Sequence, residues 1–189
     1  MKTTRFFTLV ELLIAAAIIA VLAGIGFAGY SFAVNSGRES STKSLIHQMT
    51  TVFDTCHNKA GFYPASSSFQ NIVFTFDSNG IPSKVTIGGG EYLKTDVGSK
   101  KQLFDTVTKM LDMENIKSMG GTEVILRDSW GNPIKYCCPG KINKTKYDII
   151  SSGADGKFGK GDGSDTPPET KDKYYSEEGV LDCDDIHNF

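Results

Sequence analysis

The sequence predicts an α+β protein in which a long N-terminal helix, membrane-spanning in its first half and amphipathic in its second, packs on a small antiparallel sheet. Three observations predict it. From Thr8 to Val34 the chain is an apolar run broken by one charge, Glu11. Leu45, Met49, Val52, Phe53 and Cys56 then recur at three- and four-residue steps, the spacing of one apolar helical stripe. Beyond them, short alternating segments are punctuated by Gly, Pro, Asn and Asp, the pattern of strands and turns.

The apolar run exceeds the roughly 20 residues that a helix needs to cross a bilayer core. It is too long for the core of an ordinary secretory signal, and its small residues Ala15, Ala16 and Ala17 lie inside it rather than at its end. Lys2 and Arg5 precede the span, whereas Glu39 counters Arg38 after it, so the N-terminus is expected in the cytoplasm and the remainder outside. The chain therefore divides into a basic leader (1–6), a transmembrane helix (7–34) and an exported domain (35–189) that includes the second half of the helix (35–60). Gly24, Gly26 and Gly29, with Ala23, Ala28 and Ala33, crowd the end of the span, and small residues let helices approach closely in a membrane. Glu11 stands apart. A charge at the bilayer centre costs roughly 2.5–3.5 kcal/mol on insertion scales, so an intramembrane carboxylate reads as functional.

The helix is expected to stop between Asn58 and Pro64, with Gly61 as its terminator. Ile72 to Phe76 and Ser83 to Ile87 read as strands joined by the turn Asp77-Ser78-Asn79-Gly80. Leu103, Val107, Met110 and Leu111 suggest a second amphipathic helix, and Val124 to Leu126 a further strand. His47 and His57 have no ligand-like partners in sequence and read as ordinary polar positions.

Composition narrows the function. The chain has 189 residues and is 39% hydrophobic, much of that in the first 34 positions, leaving one domain's worth beyond the span. A net charge of −2 and a pI near 5.9 argue against nucleic-acid binding, which leaves a basic patch or stripe. No Gly-x-Ser-x-Gly, HExxH, P-loop or dinucleotide fingerprint is present, and the three histidines have no evident nucleophile, so no enzyme and no catalytic residue is expected.

The C-terminal third is acidic. Asp155, Asp162, Asp165, Asp172, Asp182, Asp184 and Asp185 fall in a glycine-rich stretch. Ca²⁺ takes 6–8 oxygens from carboxylates, carbonyls and water in flexible geometry, which such a stretch can supply, although a solvated acidic loop has the same composition. Asp162-Gly163-Ser164-Asp165 is loosely like a calcium loop, without EF-hand register. Cys56, Cys137, Cys138 and Cys183 all follow the span, in a compartment where disulfides persist, and at least one disulfide is expected. Three pairings are open to four cysteines; zinc is the alternative, but no CxxC pair occurs.

Several segments carry a resemblance. Phe7-Thr8-Leu9-Val10-Glu11-Leu12-Leu13-Ile14, after a basic leader, resembles the prepilin signal of type IV pilins and type II secretion pseudopilins. Asn58-Lys59-Ala60-Gly61-Phe62-Tyr63-Pro64 is similar to the turn that follows the long pseudopilin helix. Asp128-Ser129-Trp130-Gly131-Asn132-Pro133-Ile134-Lys135-Tyr136 resembles a motif of the major pseudopilin, as do Tyr147 to Lys157 and the terminal Asp184-Asp185-Ile186-His187-Asn188-Phe189. Together these cover about half the chain. The resemblance implies a type IV pilin-like fold with a C-terminal calcium loop, and a subunit of a periplasmic pseudopilus anchored by one pass in the inner membrane. It implies cleavage between Phe6 and Phe7 by a prepilin peptidase and N-methylation of Phe7, although Phe6 stands where the family has Gly. Glu11 would bond the freed amine of a neighbour during assembly. Partners would be further copies of the chain, minor pseudopilins, the inner-membrane assembly platform and membrane lipid. Calcium would be held by Asp155 and Asp185 with the carbonyls of Ile150 and Ser152, and Asp182 and Asp184 as further candidates; Thr166 to Gly179 is additional to the family's compact loop. A minor type IV pilin and a signal-anchored calcium-binding module are the alternatives.

Overall fold

The computed structural model describes residues 8–160, 163–176, 178–179, 181 and 183–189. Helix α1 runs over Leu9–Ala60. Among the described residues it is the one helix long and apolar enough to cross a membrane. The chain divides into two compact units, Met1–Arg38 and Glu39–Phe189.

In the second unit the expected stripe is the buried face of α1. Thr42, Ile46, Met49, Val52, Phe53 and Cys56 are all within the core, whereas Leu45 is only half-buried, so Ile46 takes the place that the spacing assigned to its neighbour. Gly61 ends the helix at φ +83°, donating its N–H to the His57 carbonyl at 2.8 Å. Glycine adopts that left-handed conformation at no steric cost, which makes it the common helix terminator.

Where one small sheet was expected, the described residues form two, each antiparallel with four strands. After α1 come β1 (Ser66–Asn71), β2 (Val73–Phe76), β3 (Pro82–Ile87) and β4 (Gly90–Leu93). Helices α2 (Gly98–Met110) and α3 (Met113–Ser118) follow, then β5 (Glu123–Ile125), β6 (Lys135–Cys138), β7 (Asp148–Ser151) and β8 (Ile186–His187). One sheet has the order β4-β3-β2-β5 and the other β1-β6-β7-β8. The chain changes sheet at the single fully buried residue Ile72, between β1 and β2. The β2–β3 turn is held as its sequence predicts: Asp77 accepts the N–H groups of Asn79 and Ile81, both at 2.9 Å, and Gly80 takes φ +73°.

Helix α1 meets the second sheet through aromatic rings. Phe53 lies 4.8 Å from Tyr136 of β6 and 5.4 Å from Tyr147, next to β7, between ring centroids. Tyr147 donates to the Thr50 carbonyl at 2.9 Å and to Asp54 at 3.0 Å, and Tyr63 and Lys146 also reach Asp54. Burial opposes the charge of Asp54, but hydrogen bonds from Tyr147, Tyr63 and Lys146 hold its carboxyl below the usual range.

Candidate functional site

Three regions carry the residues singled out by the sequence. The first is the start of α1. Glu11 Oε2 accepts from the Thr8 N–H at 2.9 Å and the Thr8 hydroxyl at 3.0 Å, while Thr8 Oγ1 accepts from the Glu11 N–H at 3.3 Å. This is a capping box, in which two helix-terminal donors are satisfied reciprocally. The Thr-x-x-Glu spacing is readable in the sequence, so the same carboxylate that marks the membrane segment also starts the helix. Phe6 and Phe7 lie outside the described residues.

The second region joins the segment after β7 to the C-terminus. Strand β8 pairs with β7, setting His187 opposite Ile150 and Ile186 opposite Ser151. The pairing brings Asp184 and Asp185 to the loop that follows Ser151. Asp184 accepts the Asp155 N–H at 2.9 Å, and Asp185 accepts the Gly159 N–H at 2.5 Å. Asp155 itself is exposed and accepts from the Lys157 N–H at 2.7 Å. Gly153 has φ +64°, and a Cβ there would stand 2.2 Å from the Asp184 carbonyl oxygen, so only glycine lets the two segments touch.

Asp185 is the unusual member. It is 1% exposed, and its Oδ1 is buried with no hydrogen-bond partner. Burial pushes its carboxyl up to about 6 despite the Gly159 hydrogen bond, and the negative charges of Asp184 and Asp155 push it the same way. A buried carboxylate oxygen without a partner, flanked by two further carboxylates, is the environment that a cation would relieve. Among the described residues no three His, Cys, Asp or Glu side chains converge closely enough to hold a metal by themselves. A cation here would therefore draw on backbone carbonyls. Of the two expected carbonyl donors, Ser152 is buried just beyond the end of β7 and Ile150 lies within β7 between its partner strands β6 and β8. Asp162 and Asp182 lie outside the described residues.

Part of the Thr166 to Gly179 segment meets this region, where the Lys173 carbonyl accepts the Lys160 N–H at 2.7 Å. Its 3-10 turn at Lys171–Lys173 presents Tyr174, which with Ile150 and Phe158 forms a small second core. His187 stacks on Phe189 at 4.0 Å and meets Tyr175, and burial lowers its imidazole to about 4.

The third region is the cysteines. All four thiols are free, and the expected disulfide is not shown. Cys56 packs in the main core against the Leu103 carbonyl. Cys137 and Cys138, adjacent on β6, reach different acceptors: Cys137 the carbonyls of Ser66 and Pro139, Cys138 that of Lys146. Cys183 lies beside the second core, with its Sγ 3.7 Å from the Tyr174 carbonyl. Burial raises the Cys56 and Cys183 thiols to about 12, so neither is a ready thiolate.

The turn Asp128-Ser129-Trp130-Gly131-Asn132 touches the second region. Its residues do more than turn the chain: Asp128 is buried, accepting from the Trp130 and Asn132 N–H groups at 2.9 and 2.8 Å and from the Ser151 hydroxyl at 2.7 Å. Sequence spacing marked the turn but not its reach to Ser151.

Residues 101–167 match the family model described as type II secretion system (T2SS), protein G. The matched stretch runs from α2 through the Asp128 turn, β6 and β7 to Asp155 and beyond. The match supports a type II secretion pseudopilin. No curated protein and no solved structure matches the chain. The family is a structural component of secretion, and the apolar helix α1 suits a membrane-anchored protein.

Proposed function

We propose that the chain is a structural subunit of a type II secretion pseudopilus, a fibre that grows from the inner membrane into the periplasm and supports export across the outer membrane. The observation that carries this is the coincidence, in one chain, of the protein G match at residues 101–167 and an apolar helix bearing Glu11 near its start. The capping box with Thr8 gives the carboxylate a local role at the helix start; in a polymer it gains a second, as the partner of a neighbour's amine. In the membrane Glu11 is held by Thr8 of its own chain. On assembly it takes a charge-assisted bond from the freed amine of Phe7 on a neighbouring copy, a bond about twice as strong as a neutral one. The prepilin peptidase cuts after Phe6, Phe7 is methylated, and the assembly platform and minor pseudopilins receive the subunit.

The C-terminal region binds calcium in this reading. Asp185 and Asp155 are the side-chain ligands with the Ser152 carbonyl, and Asp184 completes the acidic face. The orphaned Oδ1 of Asp185 supports this. The ion would tie the C-terminus to β7 and neutralise the clustered carboxylates.

Glu11→Ala tests the assembly reading. The variant should insert in the membrane yet be absent from sheared or overexpressed fibres, whereas the wild-type chain enters them. Wild-type fibre yield from Glu11→Ala would refute the role of the carboxylate.

A further inference from the structure

We infer that Asp128, acting through Ser151, is the positioning residue that aims the Ser152 carbonyl at the cation. The inference rests on the calcium reading above and concerns residues outside the ligand set.

The geometry is a clamp on one glycine. Asp128 Oδ1 is occupied by the Trp130 and Asn132 N–H groups, which fixes the carboxylate in the turn. Its Oδ2 accepts the Ser151 hydroxyl at 2.7 Å. With its proton committed to Asp128, the Ser151 oxygen presents a lone pair to the Gly153 N–H, 3.2 Å away. The other side of Gly153 is held by the same turn, since Asn132 Nδ2 donates to the Gly153 carbonyl at 2.8 Å.

The consequence follows from the planarity of the peptide. The Gly153 N–H and the Ser152 C=O belong to one trans peptide unit and point in opposite directions. Fixing the N–H toward Ser151 therefore fixes the Ser152 carbonyl away from it. Gly153 in turn packs against the Asp184 backbone. The turn is anchored at its far side, where Thr42 of α1, fully buried, accepts the Ser129 N–H at 3.1 Å. Asp128 thus orients a carbonyl it does not touch, as the partners of metal ligands do elsewhere, and loss of such a partner typically weakens metal affinity by about 10–100-fold.

The test measures calcium affinity by calorimetric titration of calcium chloride into the full chain in detergent micelles, alongside urea unfolding in chelator. The variants are Asp128→Asn, Ser151→Ala and Val107→Ala. Ser151→Ala removes the relay while leaving both turn bonds to Asp128 Oδ1 in place, so it serves even if Asp128→Asn does not fold. Val107, fully buried on α2, is the control for general destabilisation. The expected result is a calcium affinity about tenfold or more weaker in Ser151→Ala and Asp128→Asn, and unchanged in Val107→Ala although that variant unfolds at lower urea. Wild-type affinity in Ser151→Ala overturns the inference and leaves the calcium reading standing. Equal weakening in Val107→Ala overturns it too, by making the effect one of stability. Absence of calcium binding in the wild-type chain overturns both.

Discussion

Replacing Asp185 by Asn separates the cost of a buried charge from the gain of a bound ion, because the two have opposite signs. The Asp185 carboxyl sits at about 6 in the folded chain against 3.8 for the unfolded one. A raised carboxyl holds its proton more tightly when folded, so between those two values the folded state binds more protons and stability falls as pH rises. At pH 7.5 both states are ionised and the whole cost is present. At about 1.36 kcal/mol per unit the ceiling is about 3 kcal/mol. Asn keeps an acceptor for the Gly159 N–H but places an amide beside the partnerless Oδ1 position, returning about 1 kcal/mol. In chelator at pH 7.5 Asp185→Asn should therefore be the more stable protein by about 2 kcal/mol, and the advantage should vanish near pH 4. Buried His187, lowered to about 4, makes the wild-type chain lose stability on acidification from its unfolded value of 6.5, but that contribution is common to both proteins and cancels in the difference. Calcium at a hundredfold excess over its dissociation constant adds about 2.7 kcal/mol to the wild-type chain and little to the variant, so the order reverses. Urea unfolding of the full chain in nonionic detergent, with and without chelator, reads all of this. A variant that is less stable than wild type in chelator at pH 7.5 would refute the buried uncompensated carboxylate. A calcium response equal in both proteins would refute its role as ligand.

Phe53→Ala should destabilise the domain by about 3–5 kcal/mol, because a fully buried ring that meets Tyr136 and Tyr147 is lost from the joint between α1 and the sheet; a loss under 1 kcal/mol in urea would show that the joint lies elsewhere. Gly153→Ala should cost about 2 kcal/mol or more, combining a left-handed backbone with a Cβ 2.2 Å from the Asp184 carbonyl, and should also abolish the calcium response; proteolysis in calcium that cuts the variant after Gly153 no faster than wild type would contradict it. Intact-mass spectrometry of the membrane-extracted protein should find a chain beginning at methylated Phe7. A chain that still begins at Met1 defeats the cleavage reading and points to the ring of Phe6 as the obstacle.

Much of this architecture is legible in sequence where the signal is local. The apolar run, the α1 stripe, the Gly61 stop, the Asp77–Gly80 turn and the α2 pattern depend on neighbours within a few residues, and they lie close to where the spacing puts them, with Ile46 buried in place of Leu45 and Leu111 just past the end of α2. β1 and β4 were not anticipated. Ser66–Asn71 carries one buried residue and little apolar alternation, and Gly90–Leu93 offers only Tyr92 to the core. Such strands are set by their partners β6 and β3 more than by their own composition. The division into two sheets is invisible for the same reason, because it turns on one residue, Ile72, at which the chain leaves one ladder for another.

The candidate site divides in the same way. By itself the sequence determined which oxygens are on offer, namely the aspartates from Asp155 to Asp185, and that a glycine-rich chain could bring backbone among them. It also determined the Glu11 carboxylate in an apolar helix, since composition alone makes that charge anomalous. Only the tertiary structure decided that Asp185 is buried while Asp155 is exposed, and that Asp128 reaches Ser151 across 23 residues. The reason is physical: the desolvation of a carboxylate depends on what other elements pack around it, and the Gly159 N–H that meets Asp185 arrives from 26 residues away.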